Sequence, residues 1–182
     1  MSRRRANKQI TAWENDTRTW ATNTARDLAL DLYHGRPAAI RPYNVGVVLD
    51  PDEVVWAEVP VRFNLDQPPP IPGTQSPVRS WLVTSGRVVG RLGGDRLCGY
   101  RWETMVGLRV TLAPGREQLA VDIDGQPPLV WAGPGIAPMA VVAVFHLHGP
   151  AALLDHPGLA SLRAPSDWRP AVSLAGPPTS RP

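Results

Sequence analysis

The first apolar pattern along the chain has a helical period. Between residues 8 and 34, apolar and threonine side chains recur every three or four positions. This spacing matches an α-helix and places Trp13, Trp20 and Leu28 on one face. Gly35 then ends the pattern, as is typical of a helix C-terminus. The pattern predicts an amphipathic helix that docks on the chain's own body or on a partner. Its own body is favoured, because such helices usually bury their apolar face within their own domain.

From residue 54 onward, the pattern changes to the alternation of apolar and polar residues that is typical of half-buried strands. Seven strands are predicted, at residues 54–63, 79–84, 87–92, 97–102, 106–112, 118–123 and 128–131. All connections but one are short, which predicts an antiparallel meander. The exception, residues 64–78, contains five prolines and predicts a long, stiff loop, since proline cannot donate to a strand ladder.

The apolar segment 136–148 is compatible with two structures. Its β-branched residues suit a strand, whereas its length, its alanines at helical spacing and the glycine that follows suit a buried helix, which we favour. Residues 150–162 are compatible with a further short helix. The last segment, residues 164–182, lacks periodicity and is predicted to be disordered.

The composition is that of one globular domain with appended segments. A length of 182 residues and a hydrophobic content of 43% allow one domain with a substantial core. The chain has 21 prolines, roughly twice the average share of about 5%, and they cluster in connections and in the tail. We therefore divide the chain into a basic, helical segment (1–43), a strand-rich domain with a capping helix (44–163) and a proline-rich tail (164–182).

The net charge of +3 is concentrated near the N-terminus. Residues 1–42 contain eight basic and four acidic side chains, and the basic ones include Arg3, Arg4 and Arg5. These three arginines form an arm that serves either as a solubilising tail or as a contact to the phosphates of nucleic acid or of an anionic membrane. Such a contact would be weak, sequence-independent and sensitive to salt.

Three short stretches resemble one family of domains. They are VLDPDEVVW (48–56), WLVTSGRVVG (81–90) and YRWETMVGLRV (100–110). Each is similar to the corresponding strand segment of bacterial pleckstrin-homology-like (PH-like) and GRAM-like domains. The resemblance implies a mainly β, mixed α+β fold, namely a seven-stranded antiparallel barrel capped by a C-terminal helix. It also implies a binding or assembly module without a catalytic centre. Because residues 64–78 contain no lysine or arginine, a phosphoinositide ligand is not expected.

Two arginines in the third predicted strand, Arg87 and Arg91, alternate with inward-facing residues and are predicted to point outward. With Arg101 and Arg109 they would form a basic stripe on neighbouring strands. The stripe is either a solvated face with ion pairs, which we favour, or a surface that contacts an anion or a partner. The candidate carboxylates for such ion pairs are Glu103, Glu117 and Asp122.

No catalytic, cofactor-binding or metal-binding motif is evident. The single cysteine, Cys98, cannot form an internal disulfide and is predicted to be buried. His146 and His148 lack a third metal ligand. No secretory signal or membrane span is predicted, which favours the cytoplasm. The sequence predicts a non-enzymatic module without cofactor or small-molecule substrate, which binds a protein or peptide or self-associates. The alternative is weak electrostatic binding to nucleic acid or acidic lipid.

Overall fold

The computed structural model describes residues 3–42, 46–63, 79–92 and 96–163, so the predicted loop and tail lie outside it. The helices are α1 (Arg3–Tyr33), α2 (Ala137–His148) and α3 (Ala152–Asp155). The strands are β1 (Val55–Phe63), β2 (Arg79–Thr84), β3 (Arg87–Leu92), β4 (Arg96–Arg101), β5 (Met105–Thr111), β6 (Gln118–Ile123) and β7 (Leu129–Ala132). Two 3-10 turns span Trp102–Thr104 and Pro157–Leu162.

The fold is a mixed α+β arrangement built on one open antiparallel sheet. All seven predicted strands are present, and their ends differ from prediction by at most one residue. Their order is β4-β3-β2-β1-β7-β6-β5, and every neighbouring pair is antiparallel. The prediction of a single meander was wrong, because β1 pairs with β7 while β4 and β5 form the two edges.

The chain leaves the sheet between β4 and β5 because Trp102 turns inward. Trp102 is only 4% exposed, and its indole Nε1 donates a 2.9 Å hydrogen bond to the buried carbonyl oxygen of Thr84. Burial of a large aromatic ring with its polar atom satisfied is strongly favourable. The 3-10 turn that begins at this residue therefore separates β4 from β5, although they are consecutive in the chain.

The central strand β1 contains a bulge and a proline. Its register against β2 shifts between Val55 and Ala57, which leaves Trp56 as the extra residue. Such a bulge changes the direction of a side chain, and Trp56 accordingly packs edge-on against Phe145 of α2. Pro60 is paired with β2 alone, since pairing with β7 begins two residues later. A proline is tolerated there because the side without a strand neighbour needs no N–H donor.

The stretch WLVTSGRVVG forms the β2–β3 hairpin at the core of the sheet. Trp81 is fully buried and lies opposite Gly90. A Cβ atom at position 90 would lie 2.4 Å from Cδ2 of Trp81, so only glycine leaves room for the ring. Trp81 also contacts a cluster of aromatic rings from three other strands, which consists of Phe63, Tyr100 and Trp131.

Segment 136–148 forms α2, so the favoured interpretation is confirmed. Its residues from Ala137 to Val144 are all buried, as expected for a helix that is apolar on every side. Side chains of the sheet, of α1 and of α3 share one hydrophobic cluster with it. The helix is thus the centre of the core.

Helix α1 begins at Arg3, five residues earlier than the predicted helix, and its C-terminal half docks on its own chain as favoured. The face that packs toward α2 carries small side chains in its middle, which allow two helices to approach closely. The buried residues of α1 are Thr17, Ala21, Ala25, Leu28, Ala29 and Leu32. The main-chain carbonyl of Leu162 also accepts a hydrogen bond from Arg26 Nε. The C-terminal half of α1 is therefore part of the core.

Candidate functional site

The predicted docking face of α1 is divided between core and surface. Leu28 is 6% exposed, whereas Trp13 and Trp20 are 40% and 42% exposed. Ile10, one turn before Trp13, is 48% exposed. The alanines, Leu28 and Leu32 contact the core and the tryptophans do not, so the aromatic rings lie beside the helix interface. We call the exposed residues Ile10, Trp13 and Trp20 the aromatic face of α1.

Trp20 forms one wall of a cavity of about 770 Å³, which we call the Trp20 cleft. This volume lies in the range of ligand-binding pockets. The apolar part of its lining consists of Trp20, Ile40, Trp56, Ala57 and Pro60, and the polar part of Asp16, Thr17, Thr24, Arg41, Glu58 and Ser80. The cleft therefore joins α1, the segment that follows it and the β1–β2 pair.

Trp56 is the least expected member of this lining. The alternation of β1 placed its side chain on the polar face of the strand, but the bulge moves it toward α2. Trp56 is almost completely buried, with an exposure of 8%. Its indole Nε1 has no hydrogen-bond partner in the part of the chain that the structure describes. A bulge has no reliable sequence signature, although a tryptophan at a predicted polar position is itself an anomaly.

Trp13 lines a second cavity, of about 600 Å³, on the other side of Pro60, which we call the Trp13 cleft. An ion pair between Arg18 and Glu117 closes part of it, and Glu117 is 7% exposed. This pair connects α1 to the turn between β5 and β6. Glu117 was predicted as a candidate partner for the arginine stripe. It pairs instead with Arg18 of α1, which lies 99 positions earlier in the chain.

The arginines of the predicted stripe make contacts within the protein, although Glu53, the partner of Arg87, was not among the predicted carboxylates. Arg87 makes two 2.9 Å hydrogen bonds to the carboxylate of Glu53. Asp50 accepts a 3.2 Å bond from Arg101, which lies opposite Arg87 in the ladder. Arg109 pairs with Asp122. Arg91 approaches the carbonyl oxygen of Gly46 at 3.5 Å. Adjacent like charges destabilise a sheet. The acidic turn before β1, which contains Asp50 and Glu53, compensates the positive charge of this face.

The arginine arm is continuous with α1, since the helix starts at Arg3 and includes Arg4 and Arg5. The first turn of the helix contains no acidic residue. Positive charges at a helix N-terminus oppose the helix dipole, so these arginines do not stabilise the helix locally. Binding of nucleic acid or acidic lipid by the arm stays a prediction.

His146 lies between two tryptophans. Its ring stacks on Trp56 at 5.9 Å between centroids and on Trp102 at 5.3 Å, with interplanar angles of 17° and 8°. Its Nε2 atom is buried and has no hydrogen-bond partner among the described residues. Burial lowers the pKa of His146 to about 4, because the imidazolium would lose its hydration.

This lowered pKa predicts that the protein loses stability between pH 6.5 and 4. In that range the unfolded chain binds a proton at His146 while the folded protein does not, so acidification favours unfolding. Partial exposure and attraction of the cation to the indole faces reduce the effect, and we expect a loss of about 1 to 2 kcal/mol. Urea denaturation at several pH values measures it.

A His146→Phe variant is the control for this prediction, because phenylalanine preserves the stack and cannot be protonated. The pKa of His156 is also lowered, chiefly by burial, so some dependence on pH should remain in the variant. An identical dependence in both proteins would contradict the assignment to His146.

The cysteine and the other histidines discussed above do not come together in one site. Cys98 is half-buried and donates to the carbonyl oxygen of Gly90 at 3.5 Å. His148 stacks on His156 instead of joining His146. Within residues 3–42, 46–63, 79–92 and 96–163, no group of three or more His, Cys, Asp or Glu residues is arranged to hold a metal ion. None of the described helices is both long and apolar enough to cross a membrane.

Comparison of the chain with protein-family models, with curated proteins and with solved structures gives no match. The resemblance to PH-like domains therefore stays a prediction from the three sequence stretches.

Proposed function

We propose that this protein is a non-enzymatic interaction module of PH-like architecture that binds a protein or peptide partner through the aromatic face of α1. The strand order supports the architecture, since two antiparallel groups, β1–β4 and β5–β7, meet where β1 pairs with β7. The position of α2 after the last strand, packed against both groups through the common core, also supports it.

The observation that carries the proposed function is the exposure of two tryptophans on a helix that is otherwise anchored. Trp13 and Trp20 are each at least 40% exposed, while the adjacent face of α1, with Ala21, Ala25 and Leu28, is buried. Exposed aromatic residues on a rigid element are typical anchors of protein interfaces, because they lose little conformational entropy on binding and bury a large area. Each tryptophan also lines a cleft, which gives a partner a concave surface to fill.

The test is partner capture by the full chain and by a Trp13→Ser, Trp20→Ser double variant, followed by quantitative mass spectrometry. We expect the double variant to recover at least about tenfold less of the partner, as for the loss of two interface anchors. The matched control is a Val48→Ser, Val106→Ser variant. It also loses two exposed apolar side chains, 86% and 69% exposed, but away from α1, and it should recover the partner normally.

Equal recovery by all three proteins would contradict the proposal. Recovery that is independent of the tryptophans but falls steeply between about 50 and 200 mM salt would instead favour electrostatic binding through Arg3, Arg4 and Arg5.

A further inference from the structure

We infer that the Trp13 cleft binds an oxyanion group, a carboxylate or a phosphate, carried by an acidic segment of a protein partner. This inference rests on the proposed function and names the chemistry of one part of the surface that the partner contacts. Three observations carry it, namely the row of residues that forms the floor of the cleft, two arginines of its lining that have no partner in the described part of the chain, and the balance of charges around them.

The floor of the cleft is one row of residues across four strands. Arg62 of β1 lies opposite Ala132 of β7, which in turn lies opposite Gln118 of β6. Thr111 of β5 lies opposite Gln118 and completes the row. Residues opposite each other in a sheet point to the same face, and all four line the cavity. Because adjacent strands are about 4.8 Å apart, the backbones of Arg62 and Gln118 are about 10 Å apart. Only the methyl group of Ala132 separates them in this row, which leaves room for a ligand group.

Two arginines of the lining are available to a ligand. Arg62 and Arg116 are both exposed and both line the cleft. Neither makes a side-chain hydrogen bond or an ion pair with another residue of the described ranges. A guanidinium group binds a carboxylate or a phosphate through two parallel hydrogen bonds. Two guanidinium groups without partners at one cavity therefore suit an oxyanion.

The third arginine of the lining is already neutralised. Arg18 pairs with the buried carboxylate of Glu117 and donates a 2.8 Å hydrogen bond to the side-chain oxygen of Asn15. The other carboxylate of the lining, Glu14, lies four residues before Arg18 on α1, a spacing at which helix side chains are neighbours. Three arginines and two glutamates line the cleft, which leaves a formal balance of one positive charge. An acidic ligand is therefore attracted and a basic ligand repelled.

Trp13 favours a peptide segment over a free ion. Its indole is 40% exposed and lines the same cavity as the two arginines. A volume of about 600 Å³ is in the range of ligand pockets and exceeds what one carboxylate or phosphate fills, so an apolar side chain beside the anionic group also fits. Tryptophan and arginine are the residue types most enriched among the anchors of protein interfaces.

A nucleic acid is a less suitable ligand for this cleft. Its phosphates repeat along the strand, so its binding needs a series of cations. Three other arginines of the sheet, Arg87, Arg101 and Arg109, are each paired with a carboxylate. The carboxylates of Glu14 and Glu117 in the lining would also repel neighbouring phosphates. The cleft suits one anionic group with an apolar neighbour.

The test uses the full chain labelled with ¹⁵N and three synthetic peptides that differ at one position. Each has the sequence Gly-Leu-X-Leu-Gly with blocked termini, and X is glutamate, phosphoserine or glutamine. The indole N–H signal of Trp13, assigned with a Trp13→Phe variant, should move with the two anionic peptides and stay in place with the glutamine peptide. The signal of Trp20, which lines the other cleft, should not move. Tighter binding of the phosphoserine peptide would identify a phosphate as the preferred group, and tighter binding of the glutamate peptide a carboxylate.

An Arg62→Gln, Arg116→Gln double variant should bind the anionic peptides at least about tenfold more weakly, because it loses the charge-assisted hydrogen bonds. The matched control is an Arg36→Gln, Arg109→Gln double variant. It loses the same charge from exposed positions that are not part of the cavity lining. Its affinity should stay within about twofold of the original chain, since distant exposed charges are screened by salt.

An unchanged Trp13 signal at millimolar anionic peptide, equal movement with the glutamine peptide, or equal weakening by the two double variants would overturn the inference. Tighter binding of a single-stranded oligonucleotide that depends on Arg62 and Arg116 would overturn it in favour of nucleic acid. Partner capture that depends on Trp13 and Trp20 but not on the two arginines would overturn the inference and leave the proposed function intact.

Discussion

Deletion of residues 1–34 should abolish the cooperative unfolding transition of the protein. The PH-like interpretation of the sequence treats residues 1–34 as an appendage and predicts that the rest of the chain folds without them. In the structure, however, six side chains of α1 are buried, and five of them, all except Thr17, belong to the same cluster as α2 and the inner face of the sheet. The deletion would therefore expose the apolar surface of α2 to water.

The expected size of this effect follows from single residues. Truncation of a buried leucine to alanine typically costs about 2 to 5 kcal/mol, and Leu28 and Leu32 are 6% and 2% exposed. Loss of both, together with the buried alanines, approaches the whole stability of an ordinary domain, which is about 5 to 15 kcal/mol. Thermal unfolding followed by circular dichroism measures the outcome.

A shorter deletion, of residues 1–12, is the control. Residues 9–12 are exposed, so the melting temperature should change by less than about 4 °C. A cooperative transition in the longer deletion would show that the sheet and α2 form an independent domain and that α1 is an accessory to it.

Local pattern was sufficient to predict most elements. Apolar and polar residues alternate along much of β1 and β5, turn residues separate the shorter strands, and α2 is a continuous apolar run of helical length, so the positions of these elements could be read directly from the sequence. The pairing of β1 with β7 could not be predicted in this way. It joins residues about 70 positions apart, and no local period encodes such a contact.

The candidate site was predicted only in part, for a physical reason. The helical period identified the face of α1 with Trp13, Trp20 and Leu28, but apolar character alone suggested that the tryptophans are buried. In the structure Ala21 and Ala25 are fully buried, because small residues allow α1 to pack closely, and the larger rings then remain at its side. The partner of Arg87 was also missed. Glu53 precedes β1, and the fold alone brings it to the β2–β3 hairpin.

Replacement of Glu53 by glutamine should destabilise the protein by about 2 to 4 kcal/mol at pH 7. The Glu53 side chain is 3% exposed and that of Arg87 is 21% exposed. Loss of one partner from such a pair leaves a charge with little hydration and no counter-ion, which is more costly than loss of an exposed pair. Arg87 would then also lie opposite Arg101 without the carboxylate that offsets their repulsion.

Glu53 is held by several groups besides Arg87. Burial raises its pKa, but hydrogen bonds from the hydroxyl of Thr84, from the backbone N–H of Asp50 and from Arg87, together with the charge of Arg87, outweigh burial and lower the pKa below 4.5. The folded protein therefore releases this proton more readily than the unfolded chain. The resulting stabilisation is present above pH 4.5 and is lost as the pH falls through the lowered pKa.

Two comparisons make this prediction specific. An Asp50→Asn variant removes the carboxylate that pairs with Arg101, but both side chains are more than half exposed, so the loss should be below about 1 kcal/mol. Urea denaturation of the Glu53→Gln variant and the original chain should give stabilities that converge as the pH falls through the lowered pKa of Glu53, where the carboxyl becomes protonated. A difference that persists unchanged at low pH would mean that the glutamine disturbs packing, and that the charge of Glu53 does not hold the acidic turn against the hairpin.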